Sequence, residues 1–173
     1  MNRTAATIPV YIAAILSTNY VLTGLPNVKL FDMLVFLATY LHGARVGFPV
    51  AGITWLVYGT LNPYGAASPP LLTVQIISEM VFVSLGLVAR RLNHAADVRL
   101  LWGLLGGLGA GIYDFITNVY VGLIFYNDVM LALIMGIPFT AAHIIANIAF
   151  FTIVAPAVTS LISKLSIQGV MRR

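Results

Sequence analysis

Six apolar runs, set apart by turn-forming residues, decide what this chain can fold into. They cover residues 7–24, 30–42, 46–61, 71–89, 100–125 and 139–161. A helix needs about 20 apolar residues to cross the hydrocarbon core of a bilayer, and somewhat fewer within a bundle. The breaks carry Leu25-Pro26-Asn27, Asn62-Pro63-Tyr64-Gly65 and Ser68-Pro69-Pro70, which are turn sequences. The second and third runs are short and meet at His42-Gly43-Ala44-Arg45, and residues 131–138 read as an interfacial segment leading into the last run. Only 8% of the 173 residues are charged, where a soluble domain carries roughly 25%. So few charges do not cover a water-facing surface, but they suit one that faces lipid. The expected fold is an all-α integral membrane protein, a six-transmembrane-helix bundle forming one domain over 1–173. The absence of cysteine excludes disulfides and thiolate metal sites. Arg3 alone flanks the first run and no small-residue cleavage signal follows it, so this run reads as a retained helix.

Basic residues orient the spans. With six crossings and a cytoplasmic N-terminus, Arg3, Arg45, Arg90, Arg91, Arg99, Lys164, Arg172 and Arg173 fall inside, and only Lys29 falls outside. Both termini are then cytoplasmic. The net charge of +4 reads as this topological bias at the lipid headgroups, with no nucleic-acid surface, because the basic residues are scattered over several loops.

Polar residues within the spans form a pattern. Gln75 and Glu79 lie in the fourth span, Asp114 and Asn118 in the fifth, His143 and Asn147 in the sixth. Each pair is spaced i, i+4 and shares a helix face. Counted from the span ends at 1.5 Å per residue, Glu79, Asn118 and Asn147 lie roughly 10–12 Å below the outer surface. Asp114 falls about one turn deeper, and Gln75 and His143 about one turn shallower. Three helices thus place polar groups in one slab of the outer half, as a cavity open to the outside would require. Interhelical hydrogen bonding accounts equally well for the asparagines. The carboxylates of Glu79 and Asp114 are costly in hydrocarbon, at about 2.5–3.5 kcal/mol each on insertion scales, and point to function. Trp55 and Tyr58 sit near the outer end with Tyr20, Tyr64, Phe125 and Tyr126. They read either as interfacial belt residues or as a stacking surface for a planar ligand.

The same residues argue against other chemistries. Ser78, Ser84, Thr117 and Thr140 have no base-bearing motif around them, so no catalytic nucleophile is expected. There is no HExxH, no clustered His pair and no Cys, so no metal site is expected. Gly103, Gly106, Gly107, Gly109 and Gly111 lack the Lys-Ser/Thr of a phosphate loop and read as a helix-packing seam. The chain is therefore not expected to be an enzyme, to hydrolyse ATP or to carry a cofactor.

Several segments, in order, resemble one family over nearly the whole chain. They are Ala13-Ala14-Ile15-Leu16-Ser17-Thr18, then Leu25-Pro26-Asn27-Val28-Lys29-Leu30, and the turn from Gly43 through Gly47 and Pro49 to Gly52. Asn62-Pro63-Tyr64-Gly65, Tyr113-Asp114-Phe115-Ile116-Thr117-Asn118 and the run from Pro138 through His143 to Asn147 follow. The pattern is similar to the substrate-binding S components of energy-coupling factor (ECF) vitamin transporters. That resemblance implies capture of a micronutrient from outside the cell membrane of a prokaryote. It implies loops after spans one, three and five covering the site, and partnership with a T component and two ATPase subunits. It also implies a T-component contact through small residues on the first helix. Here Ala13-xxx-Ser17 and Ala14-xxx-Thr18 match that contact in size but not in letter. Met1-Asn2-Arg3-Thr4 lacks the early His of the nickel and cobalt members, which implies no metal cargo. Two acids within the membrane favour a thiamine-like or pyrimidine-like ligand with a cationic or donor-rich group. The alternative function is a non-transporting scaffold resembling the MreD-like cell-shape proteins.

Overall fold

A computed structural model describes residues 3–92 and 98–171, with side chains over 6–92 and 98–165. Among these residues the chain is all-helical, with no strand. Met1, Asn2, Arg172 and Arg173, and the side chains of Arg3 and Thr4, lie outside what is described.

The helices are α1 (Arg3–Val21), α2 (Phe31–His42), α3 (Ala44–Thr60), α4 (Pro69–Arg91), α5 (Val98–Val121), α6 (Val129–Ala149) and α7 (Ala155–Met171). A π turn, Gly122–Tyr126, extends α5, and a second, Phe150–Val154, joins α6 to α7 in one continuous rod. Three of these helical stretches are long and apolar enough to cross a membrane: Pro69–Arg91, Val98–Tyr126 and Val129–Leu165. The exposed side chains suit lipid. Leu100, Leu104, Leu108, Ile112 and Phe115 form an uninterrupted exposed stripe along α5, a surface that water does not tolerate at this extent.

One expectation fails. Residues 131–138 are not an interfacial segment but part of α6. Asn127, with φ 51°, turns the chain after the π turn. Asp128 then caps the new helix by accepting from the Leu131 N–H at 3.0 Å. Pro138 removes only one backbone donor, and the helix continues through it.

Helix α2 sits at the centre. Its Phe31, Met33, Val35, Phe36, Leu37, Ala38 and Thr39 are buried on all sides, against α1, α3 and α4 in the main. Twelve residues span only about 18 Å, so α2 is shielded by protein along its length. Gly43, with φ +83°, makes the one-residue reversal between α2 and α3, a conformation that favours glycine.

The expected glycine seam is realised on α5. Gly103 faces Thr152, Gly106 faces the Phe151 ring and Gly107 faces Ile148, while Gly109 turns toward Phe82 and Leu85 of α4. The seam lets α5 approach both neighbours closely. A Cβ at Gly106 would stand 2.6 Å from the Phe151 ring, whereas one at Gly52 would meet nothing within 4 Å. Gly106→Ala is therefore expected to cost about 1–3 kcal/mol. Gly52→Ala should leave stability unchanged or slightly raised. Thermal unfolding in detergent compares the two.

Candidate functional site

The first turn of α2 delivers Asp32 into the interior, where it is only 4% exposed. The face of α6 that carries His143 and Asn147 meets it. His143 Nε2 is hydrogen-bonded to Asp32 Oδ2 at 2.6 Å and Nδ1 to Asp114 Oδ1 of α5 at 3.1 Å. Asn147 donates to the same Asp32 oxygen at 2.8 Å. The ring thus bridges two acids, either as an imidazolium donating from both nitrogens or as a neutral imidazole that donates to one acid and accepts from the other. Among the described residues no group of three or more acids and histidines is placed to hold one.

Glu79 of α4, fully buried, stands beside this chain of hydrogen bonds. Its Oε2 accepts from the Trp55 indole N–H of α3 at 3.1 Å. Trp55 has ring neighbours of its own: Phe31 stacks on it at 5.1 Å between centroids, and Tyr113 lies nearly parallel at 6.1 Å and 15°. Glu79 Oε1, Asp114 Oδ2 and Asn147 Oδ1 are buried and have no hydrogen-bond partner. Buried acceptors are satisfied almost everywhere in folded proteins, so these three oxygens are open to further donors such as water or a ligand.

Above the acids lies the segment between α1 and α2. Asn27 (φ 57°) ties it to α6 by donating to the Phe139 carbonyl at 3.1 Å. Tyr64 ties it to the α3–α4 turn by donating to the Thr23 carbonyl at 2.8 Å. Lys29 reaches inward from this segment, with Nζ 5.7 Å from the Trp55 ring centroid and 5.3 Å from that of Tyr58. Burial pushes its ammonium below the ordinary lysine range, against the opposing pull of the Asp32, Glu79 and Asp114 carboxylates. Two cavities meet at Asn27 and Lys29. The outer one, of about 190 Å³, is lined by Asn19, Tyr58, Asn62 and Tyr64 among others. The inner one, of about 30 Å³, is lined by Asp32, Trp55, Tyr113, Asp114 and His143.

No protein-family model, curated protein or solved structure matches this chain.

Six of the expected residues, Glu79, Asp114, His143, Asn147, Trp55 and Tyr58, line this region or bond within it. Gln75 lies one turn from Glu79, partly buried, with an unpartnered Oε1. Asn118 does not join the acids. It packs against Gly136 and lines an apolar groove of about 510 Å³ between α5 and α6. The expected two-turn depth difference between Asp114 and His143 is also wrong, since the two are hydrogen-bonded. Because α6 begins at Val129 rather than at 139, counting from 139 misplaces His143. On α1, Ala13, Ala14 and Ser17 are exposed, while Thr18 bonds back to the Ala14 and Ile15 carbonyls.

Sequence reasoning missed Asp32, Tyr113 and Asn19. Asn19 is 1% exposed, with both amide atoms unpartnered. It also treated Lys29 as a mouth residue only. The available signal was Asp32 itself, an acid inside an apolar run three residues after the one basic residue on the outer side.

Asp32 Oδ2 meets two side chains, so Asp32→Ala strands His143 Nε2 and leaves Asn147 Nδ2 only its bond to the His143 carbonyl. A loss of about 3–5 kcal/mol is expected, with a smaller loss for Asp32→Asn, which keeps an acceptor. Thermal melts of the purified variants decide the order.

Proposed function

We propose that this chain is a six-span, membrane-embedded substrate-binding subunit of an ECF-type importer, with both termini cytoplasmic. It would capture a cationic or donor-rich micronutrient, thiamine-like or pyrimidine-like, from outside the cell. The observation that carries this reading is the pair of buried carboxylates, Asp32 and Asp114, that line an inner cavity next to an outer one, with Glu79 buried behind Trp55; Asp114 Oδ2 and Glu79 Oε1 lack a donor. Donors on a ligand would satisfy Glu79 Oε1 and Asp114 Oδ2 by charge-assisted hydrogen bonds. The Trp55 and Tyr58 rings, over which the Lys29 ammonium lies, offer a cation–π seat to a ligand's positive charge.

The orientation rests on charge. Arg45, Arg90, Arg91, Arg99 and Lys164 all lie at or near the helix ends opposite Lys29 in an alternating six-span arrangement. A Cβ on Gly43 would stand 3.2 Å from the Arg90 guanidinium, in keeping with the α2–α3 turn and the end of α4 sharing one side. The exposed small residues Ala13, Ala14 and Ser17 on α1 suit contact with a T component, which would recruit two ATPase subunits and supply the energy this chain lacks.

The cysteine-free sequence makes topology directly measurable. Tyr64→Cys should react with an impermeant maleimide on intact cells, and Leu92→Cys only after permeabilisation. Labelling of both from the same side would sink the arrangement. Native mass spectrometry of the purified protein should find a stoichiometric micronutrient. Glu79→Gln should weaken its retention by about 10- to 100-fold, the worth of one charged hydrogen bond. An MreD-like scaffold would carry no ligand and would be indifferent to that change.

A further inference from the structure

A lysine at the outer edge of a membrane protein ordinarily extends its ammonium to water. Lys29 turns the other way. It lines both the outer and the inner cavity, with its charge over the Trp55 and Tyr58 rings. Beneath it are three carboxylates, and two of their oxygens still lack a donor. With the lysine in this position the inner cavity of about 30 Å³ holds roughly one water molecule. It does not hold an organic cation.

We propose that the Lys29 ammonium is a tethered stand-in for the ligand's cation. It occupies the seat over Trp55 and Tyr58 while the site is empty, and it withdraws when a monocation takes its place. The inference rests on the binding function proposed above and names what that site selects. The charges argue for a one-for-one exchange. Replacing Lys29 by another monocation leaves the charge of the buried set unchanged. A neutral ligand in the same seat would strand a further buried carboxylate, which is costly. The tether also sets a threshold. An attached ammonium competes at the high effective concentration of an intramolecular group, so small ambient cations are excluded and only a ligand with additional contacts displaces it.

Lys29→Ala tests this directly, because it vacates the seat for n-butylammonium, which has the lysine side chain's own four carbons and charge and is one methylene longer than the atoms removed. In detergent, n-butylammonium chloride is expected to raise the thermal midpoint of Lys29→Ala, with half-saturation about tenfold or more below that of the wild type, as removal of a tethered competitor implies. n-Butanol should have no effect, and adding Glu79→Gln should abolish the response. Equal responses from wild type and Lys29→Ala, or none from either, would overturn the proposal. A second measurement needs no variant at position 29. In intact cells Lys29 should react with an impermeant amine-directed ester about tenfold more slowly than a lysine placed at the exposed Tyr64 position by Tyr64→Lys, because its ammonium is covered. Equal rates would remove the inward seat. Butylammonium uptake by Lys29→Ala with no micronutrient found, and no competition from thiamine, would keep the cation seat and refute the importer reading. A neutral or anionic micronutrient bound beside a still-protected Lys29 would do the reverse.

Discussion

Asp32, His143 and Asp114 form one continuous chain of hydrogen bonds, and the relative placement of α2, α5 and α6 depends on it. Ionised carboxylates inside an apolar bundle are tolerated only when paired and hydrogen-bonded. One imidazole meets both acids here, and Asn147 adds a second donor to Asp32. The residues joined are 29 and 111 positions apart in the chain. Any slip of α6 along α5 would uncouple His143 from Asp114 and leave both acids short of a donor. The glycines of α5 make the arrangement sterically feasible, since bulkier residues at 103, 106 and 107 would hold α6 away.

The position of α2 follows from the same tie. A helix this short is stable at the centre because α1, α3 and α4 surround it. Its first turn must stand level with His143, which brings the preceding residues over the acids. Lys29 therefore falls on the Trp55–Tyr58 pair, and the segment from α1 becomes the roof of the inner cavity. The buried polar chemistry is thus shared by α2, α3, α4, α5 and α6. Helices α2 and α3 contribute Asp32, Trp55 and Tyr58 to it, beyond any role as scaffold.

Much of this was legible in the residues. Apolar runs gave the first five helices to within a few positions, and i, i+4 pairs gave the inward faces of α4 and α6. Gly103, Gly106 and Gly107 gave the seam. What was not legible has physical causes. Pro138 reads as a boundary in sequence, yet an established helix tolerates the loss of one donor, so α6 starts ten residues earlier than expected. Asn118 shares a helix face with Asp114 by spacing, but four residues advance an α-helix by about 40° beyond a full turn. That offset carries Asn118 toward Gly136. Asp32 stood at the edge of a short run, where an acid looks like an ordinary helix-start residue. Only the fold shows that this edge is interior.

The π turn between α6 and α7 acquires a meaning from the same arithmetic. His143, Asn147, Phe151 and Ala155 recur at intervals of four and are all buried. In an unbroken α-helix such a series would wind away from its starting line by about 40° at each step. The wider coil over Phe150–Val154 takes up more residues in one revolution and counters that winding. Polar ligands of Asp32 and the apolar plug against Gly106 thereby stay in phase, as consecutive teeth on a single edge of one rod.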